Sequence, residues 1–392
     1  MSVLARLGLS RCINAAGTLT RLGGKPMAAE VIAAMAEAAR VSIDIAALQQ
    51  FASERLARLL GAEAGMVTTG ASAALTLAAA ASIARDDLAR MAALPFCPPP
   101  NEILLPRTHR SMYSHALAAA GARLVDLGHN DRGTGAGVRG LDAWEIAAAI
   151  TPATAAFAFA ATAETIPSLP AIAALCRARG IPVIVDAAAQ LPPRDNLRLL
   201  LAMGADLIAF SGGKAIGGPQ ASGILAGRAD LVASALAQQL DMDIRAEGFS
   251  PPPLLRPMFA KGIPQHGIGR GFKAGKEEIV GLLVALDRFA AGDDATDAAA
   301  LQARLRAIAA RLAGLNSVRA ELVEGGRVPV LAVSVDPPAR AAEAVLGLKA
   351  HDPPIHVGER RVAEGTLLVD PQSLLAEDDA LLAAALAAAL TG

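Results

Sequence analysis

Short apolar runs alternate with longer helical patterns over most of the chain. These runs are rich in Val, Ile, Leu, Phe and Ala and are bounded by Gly, Pro or polar residues, which is typical of buried strands. The predicted strands are Glu102–Leu105, Leu124–Leu127, Ala155–Ala160, Val183–Asp186, Leu207–Phe210 and Gly223–Ala226. The predicted helices between them are Asp142–Ile150, Ala171–Gly180 and Asp195–Met203. This alternation predicts an α/β fold with a mostly parallel central sheet covered by helices.

The two ends of the chain have other patterns. Residues 13–24 are small, polar and glycine-rich, so a loop is predicted there, followed by helices from Pro26 to about Arg40 and over Ile45–Leu60. A smaller α+β unit is predicted near the C-terminus, with its helices and strands at Ala300–Leu315, Arg319–Leu322, Val328–Val335 and Leu375–Leu390. The predicted segments are an N-terminal loop and helices (1–60), a large domain (61–265) and a small domain (266–392).

Composition narrows the class of protein. The chain has 392 residues, of which 53% are hydrophobic, and this suits a globular protein and excludes a disordered one. Its 36 basic and 37 acidic residues leave a net charge of −1, which argues against a surface that binds nucleic acid. Cys12, Cys97 and Cys176 are scattered without metal-ligand spacing, so no metal is predicted. Because no signal peptide or membrane-spanning run is found, we expect a cytoplasmic protein with reduced thiols.

Two charged residues follow neighbouring predicted strands. Asp186 ends the strand Val183–Asp186, and Lys214 comes after two glycines beyond the strand Leu207–Phe210. Enzymes that use pyridoxal 5'-phosphate (PLP) need such a pair, because a lysine amine bonds to the cofactor aldehyde and an acid keeps the pyridine nitrogen protonated. Each residue alone also fits an ordinary strand end or turn, so the prediction depends on their combination and order.

Two further segments have the composition of ligand-binding loops. Residues 68–74 form a small-residue turn that opens an alanine-rich helix, where backbone N–H groups and the hydroxyls of Thr69 and Ser72 suit a phosphate. The alternative is that Ser72 is an ordinary N-cap. His109 and Tyr113 follow a strand, where α/β folds place ligands. With one Tyr and one Trp in the chain, His109 is the candidate for stacking on a cofactor ring, and a capping histidine is the alternative.

These motifs, in this order, resemble the selenocysteine synthase-like family of fold type I PLP-dependent enzymes. The similarity runs from about Cys12 to Asp287 and covers the C-terminal region only in general pattern. The segments that carry it are Ile13–Thr18, Thr69–Ala73, His109-Arg110, Val185–Ala188, Ser211–Lys214, Gly217–Gln220, Gly267–Arg270, Lys273 and Lys276–Glu278. The resemblance implies a fold type I PLP-dependent transferase fold with PLP as the cofactor.

The resemblance also implies a role for each matching position. Lys214 would carry the cofactor and move the substrate's α-proton, and Asp186 would pair with the pyridine nitrogen. His109 would lie over the ring, with Ala188 beneath it. The cofactor phosphate would be held by Gly70, Ala71, Ser72 and Ser211, and the substrate by Asn14, Thr18, Arg21 and Arg270. Gln190 lies one residue further from the acid than the ring-hydroxyl partner of related enzymes, so no role is assigned to it.

A reaction class follows from the same resemblance. Members that act on tRNA carry an N-terminal extension, whereas the family motif here begins at Ile13 and the net charge is near neutral, so tRNA is not an expected partner. We expect a small anionic amino acid substrate and α,β-elimination from a 2-amino-3-hydroxy acid, amino-sugar acids included, to a 2-keto-3-deoxy acid and ammonia. The alternatives are a selenium or sulfur transferase on an aminoacyl group, a racemase or aldolase, and a scaffold protein that has lost its cofactor. We also expect a homodimer or larger homo-oligomer with shared active sites, in which Arg270 reaches the partner's site.

Overall fold

The computed structural model describes residues 3–129, 141–324 and 326–391. The chain forms two compact units. Unit 1 comprises Met1–Pro26, Gly213–Gln220 and Ala291–Gly392, and unit 2 comprises Met27–Gly212 and Ala221–Ala290. The strands are β1 (Ile13–Ala15), β2 (Ala64–Thr68), β3 (Glu102–Pro106), β4 (Arg123–Leu127), β5 (Thr154–Ala160), β6 (Val183–Asp186), β7 (Leu207–Ser211), β8 (Gly223–Gly227), β9 (Val318–Val323), β10 (Val330–Val335), β11 (Ile355–Arg361) and β12 (Thr366–Val369). The helices are α1 (Val3–Arg6), α2 (Ala29–Ala39), α3 (Ile45–Leu60), α4 (Ala71–Ala84), α5 (Leu88–Ala93), α6 (His115–Ala119), α7 (Ala143–Ala149), α8 (Leu169–Arg177), α9 (Asn196–Ala202), α10 (Ala229–Gln239), α11 (Arg256–Phe259), α12 (Lys276–Ala290), α13 (Asp294–Leu312), α14 (Ala339–Lys349) and α15 (Asp379–Thr391).

Unit 2 is built around a seven-stranded sheet in the order β2-β8-β7-β6-β5-β3-β4. The neighbours from β7 to β4 are parallel, and only β8 runs antiparallel to its neighbours β7 and β2. The inner parallel strands β3, β5, β6 and β7 are buried on both faces, which is why their sequences are apolar almost throughout. The edge strand β4 differs, because it carries the exposed residues Arg123 and Asp126. The prediction of a mostly parallel sheet covered by helices is therefore confirmed.

Helix α4 lies in the core of unit 2. Every residue from Ala74 to Ala84 is buried, and the helix packs against β7, β8 and α10. A helix that is apolar on all sides must be buried, and alanine lets its neighbours approach closely. Because α4 follows directly on β2, its first turn lies at the carboxyl edge of the sheet.

Unit 1 has a five-stranded sheet in the order β1-β11-β12-β10-β9. The last four strands pair antiparallel, whereas β1 pairs parallel with β11, with Ile13 opposite Ile355. Apolar side chains of α13, α14 and α15 form one core with this sheet. This is the small α+β arrangement that the sequence predicts.

Some local predictions were wrong. The predicted loop over residues 13–24 contains strand β1, whose three residues are buried. Pro26 does not open a helix, since α2 begins at Ala29 with Ala28 as its N-cap. Ser72 is not the N-cap of α4, because Gly70 holds that position with φ 126°. In contrast, α3 has the predicted bounds, with the Asp44 side chain capping its start and Gly61 its end.

The two units also divide the chain differently from the predicted segments 1–60, 61–265 and 266–392. Residues 1–26 join unit 1 because β1 pairs with β11. Residues 266–290 belong to unit 2 because α12 packs along α2 and α3. Neither grouping could be predicted from the sequence, because β1 and β11, like α12 and its neighbours α2 and α3, are separated by more than a hundred residues.

The structure also bears on membrane-spanning helices, cysteines and metal ligands. Within the described ranges, none of the helices combines the length and apolar character that crossing a membrane requires. Cys12, Cys97 and Cys176 are free thiols. The described residues hold no group of His, Cys, Asp and Glu side chains that could bind a metal ion.

Candidate active site

Asp186 stands at the carboxyl end of β6, in the middle of the sheet of unit 2. In register it lies between Ala160 of β5 and Ala209 of β7, two small residues that leave space around the carboxylate. Its Oδ1 accepts a hydrogen bond of 3.0 Å from the backbone N–H of Ala188. The acid is therefore oriented by its own strand end and stays half-buried at the edge where parallel sheets bind ligands.

His109 lies in the turn Arg107–His109 that follows β3 and is buried, with 8% exposure. Its Nδ1 accepts a hydrogen bond of 3.3 Å from the backbone N–H of Ala160, so the hydrogen of the neutral ring is on Nε2. The ring meets Phe159 edge-on, with 4.8 Å between ring centroids. Burial lowers the pKa of His109 to about 4, so the imidazole is neutral at physiological pH.

His109 and Asp186 line one small pocket at the carboxyl ends of β3, β5 and β6. The rest of its wall is apolar apart from three hydroxyl-bearing side chains. The other lining residues are Leu75, Leu105, Ser111, Tyr113, Ser114, Leu117, Ala158, Phe159, Ala160 and Ile184. The structure thus brings together the predicted acid and the predicted stacking residue, which are far apart in sequence.

The buried histidine makes stability depend on pH. Between pH 6.5 and 4 the unfolded chain takes up a proton at His109 that the folded chain does not, so the free energy of unfolding falls as the pH drops through this window. In the cofactor-free protein, we expect the free energy of unfolding of His109→Gln to fall by about 3 kcal/mol less than that of the wild type over this pH range. Urea unfolding at a series of pH values measures this difference. His115→Gln, at an exposed histidine of α6, is the control and should keep the wild-type pH dependence. An unchanged slope in His109→Gln would contradict the assignment.

The start of α4 has the features of an anion site. Gly70 precedes it, and the N–H groups of Ala71, Ser72 and Ala73 have no carbonyl partner within the helix. Gly223 of β8 passes so close that a Cβ there would lie 2.7 Å from the backbone nitrogen of Ala71. Backbone dipoles and small side chains therefore meet at one exposed helix start, which suits a phosphate group. Thr69, by contrast, donates its hydroxyl to the carbonyl of Phe272 at 3.1 Å.

Lys214 belongs to unit 1, as do Asn14, Thr18 and Arg21, whereas the other predicted site residues lie in unit 2. After Ser211, the last residue of β7, the chain makes a wide turn over Gly212–Ile216 in which Lys214 has φ −96° and ψ −127°. The carbonyl of Lys214 accepts a hydrogen bond of 2.9 Å from the N–H of Gly217. The catalytic candidate is thus presented by an irregular turn directly after a buried strand.

Asn14 has a structural contact that the sequence did not reveal. It is buried, its Nδ2 donates to the carbonyl of Gly17 at 3.0 Å, and its Oδ1 accepts from the N–H of Ala16 at 3.0 Å. Gly17 has φ +83°, and a Cβ there would lie 2.5 Å from a carboxylate oxygen of Asp370. Burial raises the pKa of Asp370, a residue that sequence reasoning missed. Arg21 is exposed and lies 3.8 Å from Glu359.

Arg270 lies in the turn Ile268–Phe272 and is held by an acid. Its Nη2 donates to Asp241 at 2.7 Å, and His266 Nε2 lies 3.1 Å from the other carboxylate oxygen. The N–H of Asp243, with His266 and Arg270, lowers the pKa of Asp241 to about 2. Sequence analysis missed Asp241, which lies 29 residues from Arg270 with no local pattern to link the two, and gave no role to the nearby His266.

Comparison with known proteins agrees with this geometry. The class-V aminotransferase family matches residues 52–242. The chain is 33% identical to a 5'-C-glycyluridine monooxygenase-decarboxylase of Streptomyces sp, over 94% of this chain and 87% of that protein. It is 31% identical to the D-glucosaminate-6-phosphate ammonia lyase of Salmonella typhimurium, over 98% of this chain and 97% of that protein.

A more distant relative and a solved structure extend the comparison. The chain is 27% identical to the L-seryl-tRNA(Sec) selenium transferase of Desulfomicrobium baculatum, over 97% of this chain and 82% of that protein. The solved structure of a D-glucosaminate-6-phosphate ammonia-lyase matches with a TM-score of 0.80 and 27% identity, over 100% of this chain and 98% of that chain. The whole chain, not only its sheet, therefore shares this fold.

The residues present fit a PLP cofactor. A helix start whose first N–H groups have no partner within the helix can take the phosphate, and a half-buried carboxylate at a strand end can face the pyridine nitrogen. A neutral, buried imidazole shares the pocket with that carboxylate. The chain belongs to the class-V aminotransferase family, in the selenocysteine synthase-like group of fold type I enzymes that use pyridoxal 5'-phosphate.

Proposed function

We propose that this enzyme is a lyase that acts on a small 2-amino-3-hydroxy acid and forms a 2-keto-3-deoxy acid and ammonia. The observation that carries the proposal is the similarity to D-glucosaminate-6-phosphate ammonia lyase over 98% of this chain. The substrate would lose its Cα proton and its β-hydroxyl group as water. Hydrolysis of the resulting C=N bond takes up one water and frees ammonia, so the two waters cancel.

When bound, PLP supplies an aldehyde that takes up the substrate's amine and a ring that accepts the electron pair left at Cα. We propose that Gly70, Ala71, Ser72 and Ser211 bind its phosphate through backbone N–H and hydroxyl groups. Asp186 would face the pyridine nitrogen as a carboxylate. His109 would lie against the ring as a neutral group, and the small side chain of Ala188 would leave room on the other face.

Lys214 is the proposed base of the reaction. Its Nζ would hold the cofactor in the resting enzyme and would accept the Cα proton from the substrate. A lysine can do both, because its amine is a good nucleophile and a base once it is unprotonated. The turn after β7 departs from helical geometry at Lys214, which has φ −96° and ψ −127°.

Arg270 is the proposed anchor for the substrate's carboxylate or phosphate. A guanidinium has five N–H donors, and Arg270 gives only Nη2 to Asp241 among the described residues. Asp241 therefore orients the guanidinium and leaves the Nη1 hydrogens for an anion. Asn14, Thr18 and Arg21 of unit 1 are proposed to contact the same substrate, and one amide hydrogen of Asn14 remains beyond its bond to Gly17.

The test is a screen of 2-amino-3-hydroxy acids and amino-sugar acids, with and without a phosphate group, in an oxygen electrode. We expect keto acid and ammonia to appear in equal amounts without oxygen uptake. Arg270→Ala, assayed beside the wild type, should raise KM about 10- to 100-fold for the best substrate, because a charge-assisted contact is lost.

Other products would contradict the proposal. Oxygen uptake in step with product would point to chemistry like that of the Streptomyces relative. Racemised or cleaved amino acid without ammonia would indicate a racemase or an aldolase. Turnover that requires aminoacylated tRNA would indicate a transferase. That this protein forms a homodimer or larger homo-oligomer with shared active sites remains a prediction.

A further inference from the structure

The N-terminal segment Gly23–Lys25 contacts the turn that carries Lys214, and both parts belong to unit 1. The backbone N–H of Lys25 donates to the carbonyl of Gly213 at 3.0 Å. The ammonium of Lys25 donates to the carbonyl of Ala215 at 3.3 Å. These two carbonyls belong to the residues on either side of Lys214, so a single residue holds both of its neighbours.

The contact is too close to be incidental. Gly24 has φ +73°, and a Cβ there would lie 2.5 Å from the carbonyl oxygen of Gly213 and would also collide with the Gln220 side chain. Gly217 has φ +73°, and a Cβ there would lie 3.6 Å from Cδ of Lys25. The aliphatic part of Lys25 thus lies within van der Waals range of Gly217 at the end of the turn, and the missing side chain at Gly24 makes the close approach to Gly213 possible.

The turn needs such support because Lys214 interrupts the helical dihedral angles of Gly212–Ile216. Where the backbone departs from regular geometry, its direction depends on the individual hydrogen bonds that its peptide groups make. The hydrogen bond from the Lys25 ammonium orients the peptide bond between Ala215 and Ile216, which is the second peptide bond after Lys214.

We propose that Lys25 is a positioning residue that fixes the direction in which Lys214 presents its amine. The inference builds on the proposed role of Lys214 and adds a residue that does not itself touch the substrate. Its side chain acts through the Ala215 carbonyl, and its charge makes that hydrogen bond stronger than a neutral one. The glycine-rich motif over residues 13–24 then has a second purpose, since its last glycine brings Lys25 onto the turn.

The test measures attachment of the cofactor in place of turnover. Full-length, cofactor-free protein is mixed with PLP, samples are reduced with borohydride at intervals, and peptide mass spectrometry gives the rate of label at Lys214. We expect Lys25→Met to lower this rate about tenfold, the size of effect expected when one charge-assisted hydrogen bond is lost. Lys25→Arg, which keeps the charge and a donor, should recover to within about threefold. Lys261→Met, at a surface lysine paired with Asp86, is the matched control.

Each outcome decides the point. A wild-type rate in Lys25→Met, with an unchanged thermal midpoint, overturns the inference and leaves the proposed function intact. An equal fall in the labelling rate of Lys25→Met and Lys25→Arg also overturns the inference, because the effect would then come from packing and not from the charged hydrogen bond. Label on a lysine other than Lys214 in the wild type overturns the proposed role of Lys214 and, with it, the inference that rests on that role. Should Lys25→Met not fold, Lys25→Gln is judged by the same criteria.

Discussion

Replacing Lys214 with alanine is expected to abolish covalent attachment of the cofactor and to lower the rate of turnover by about 10⁴-fold or more. The reason is that one amine both bonds to the cofactor and takes the Cα proton in the proposed reaction. The side chain is half-buried and starts from an irregular turn outside the regular strands, so the fold should persist. Borohydride reduction in the presence of PLP, followed by mass spectrometry, measures the attachment directly.

The matched control is Lys261→Ala, since Lys261 is exposed and pairs with Asp86 at the surface. It should label and turn over like the wild type. A Lys214→Ala protein that still carries borohydride-fixed cofactor would show that another lysine holds it. That result would also remove the physical basis for a positioning role of Lys25.

Replacing Asp186 with asparagine should leave the protein folded and able to bind some PLP while lowering the rate about 10³-fold. A carboxylate beside the pyridine nitrogen favours the protonated ring by charge pairing, whereas an amide of the same shape has no charge to do so. The asparagine oxygen can still accept the 3.0 Å hydrogen bond from Ala188, so the strand end keeps its geometry. Steady-state rates and cofactor binding, measured on the same preparation, separate the two effects.

Asp206→Asn provides the comparison at the opposite end of the same strands. Its carboxylate accepts a 2.9 Å hydrogen bond from the N–H of Val183, at the start of β6. This substitution should lower stability slightly and leave the rate unchanged, because Asp206 lies away from the carboxyl edge. A nearly wild-type rate in Asp186→Asn would rule out the proposed role of the acid.

Much of the site could be predicted because its signals are local. A buried strand that ends in an acid needs only apolar residues with flanking breakers, and β6 has the predicted bounds Val183–Asp186. A helix start after a small-residue turn can also be recognised from a few adjacent residues, and this is why Gly70 to Ser72 were predicted as a phosphate site. The alternative interpretation of Ser72 as the N-cap was wrong, since Gly70 is the N-cap and Ser72 lies inside α4. Sequence shows which residues suit a helix start, but the close passage of Gly223 beside the backbone of Gly70 and Ala71 appears only in the tertiary structure.

The sequence by itself determined the alternation of strands and helices, the acid and lysine after neighbouring strands, and the family. Only the tertiary structure decided which distant residues meet. β1 pairs with β11, His109 accepts from Ala160, Arg270 is held by Asp241, and Lys25 holds the turn around Lys214. The physical reason is that local patterns reflect the geometry of a few adjacent residues, whereas contacts between distant residues form only when the whole core closes and meets the entropy cost of the intervening loops.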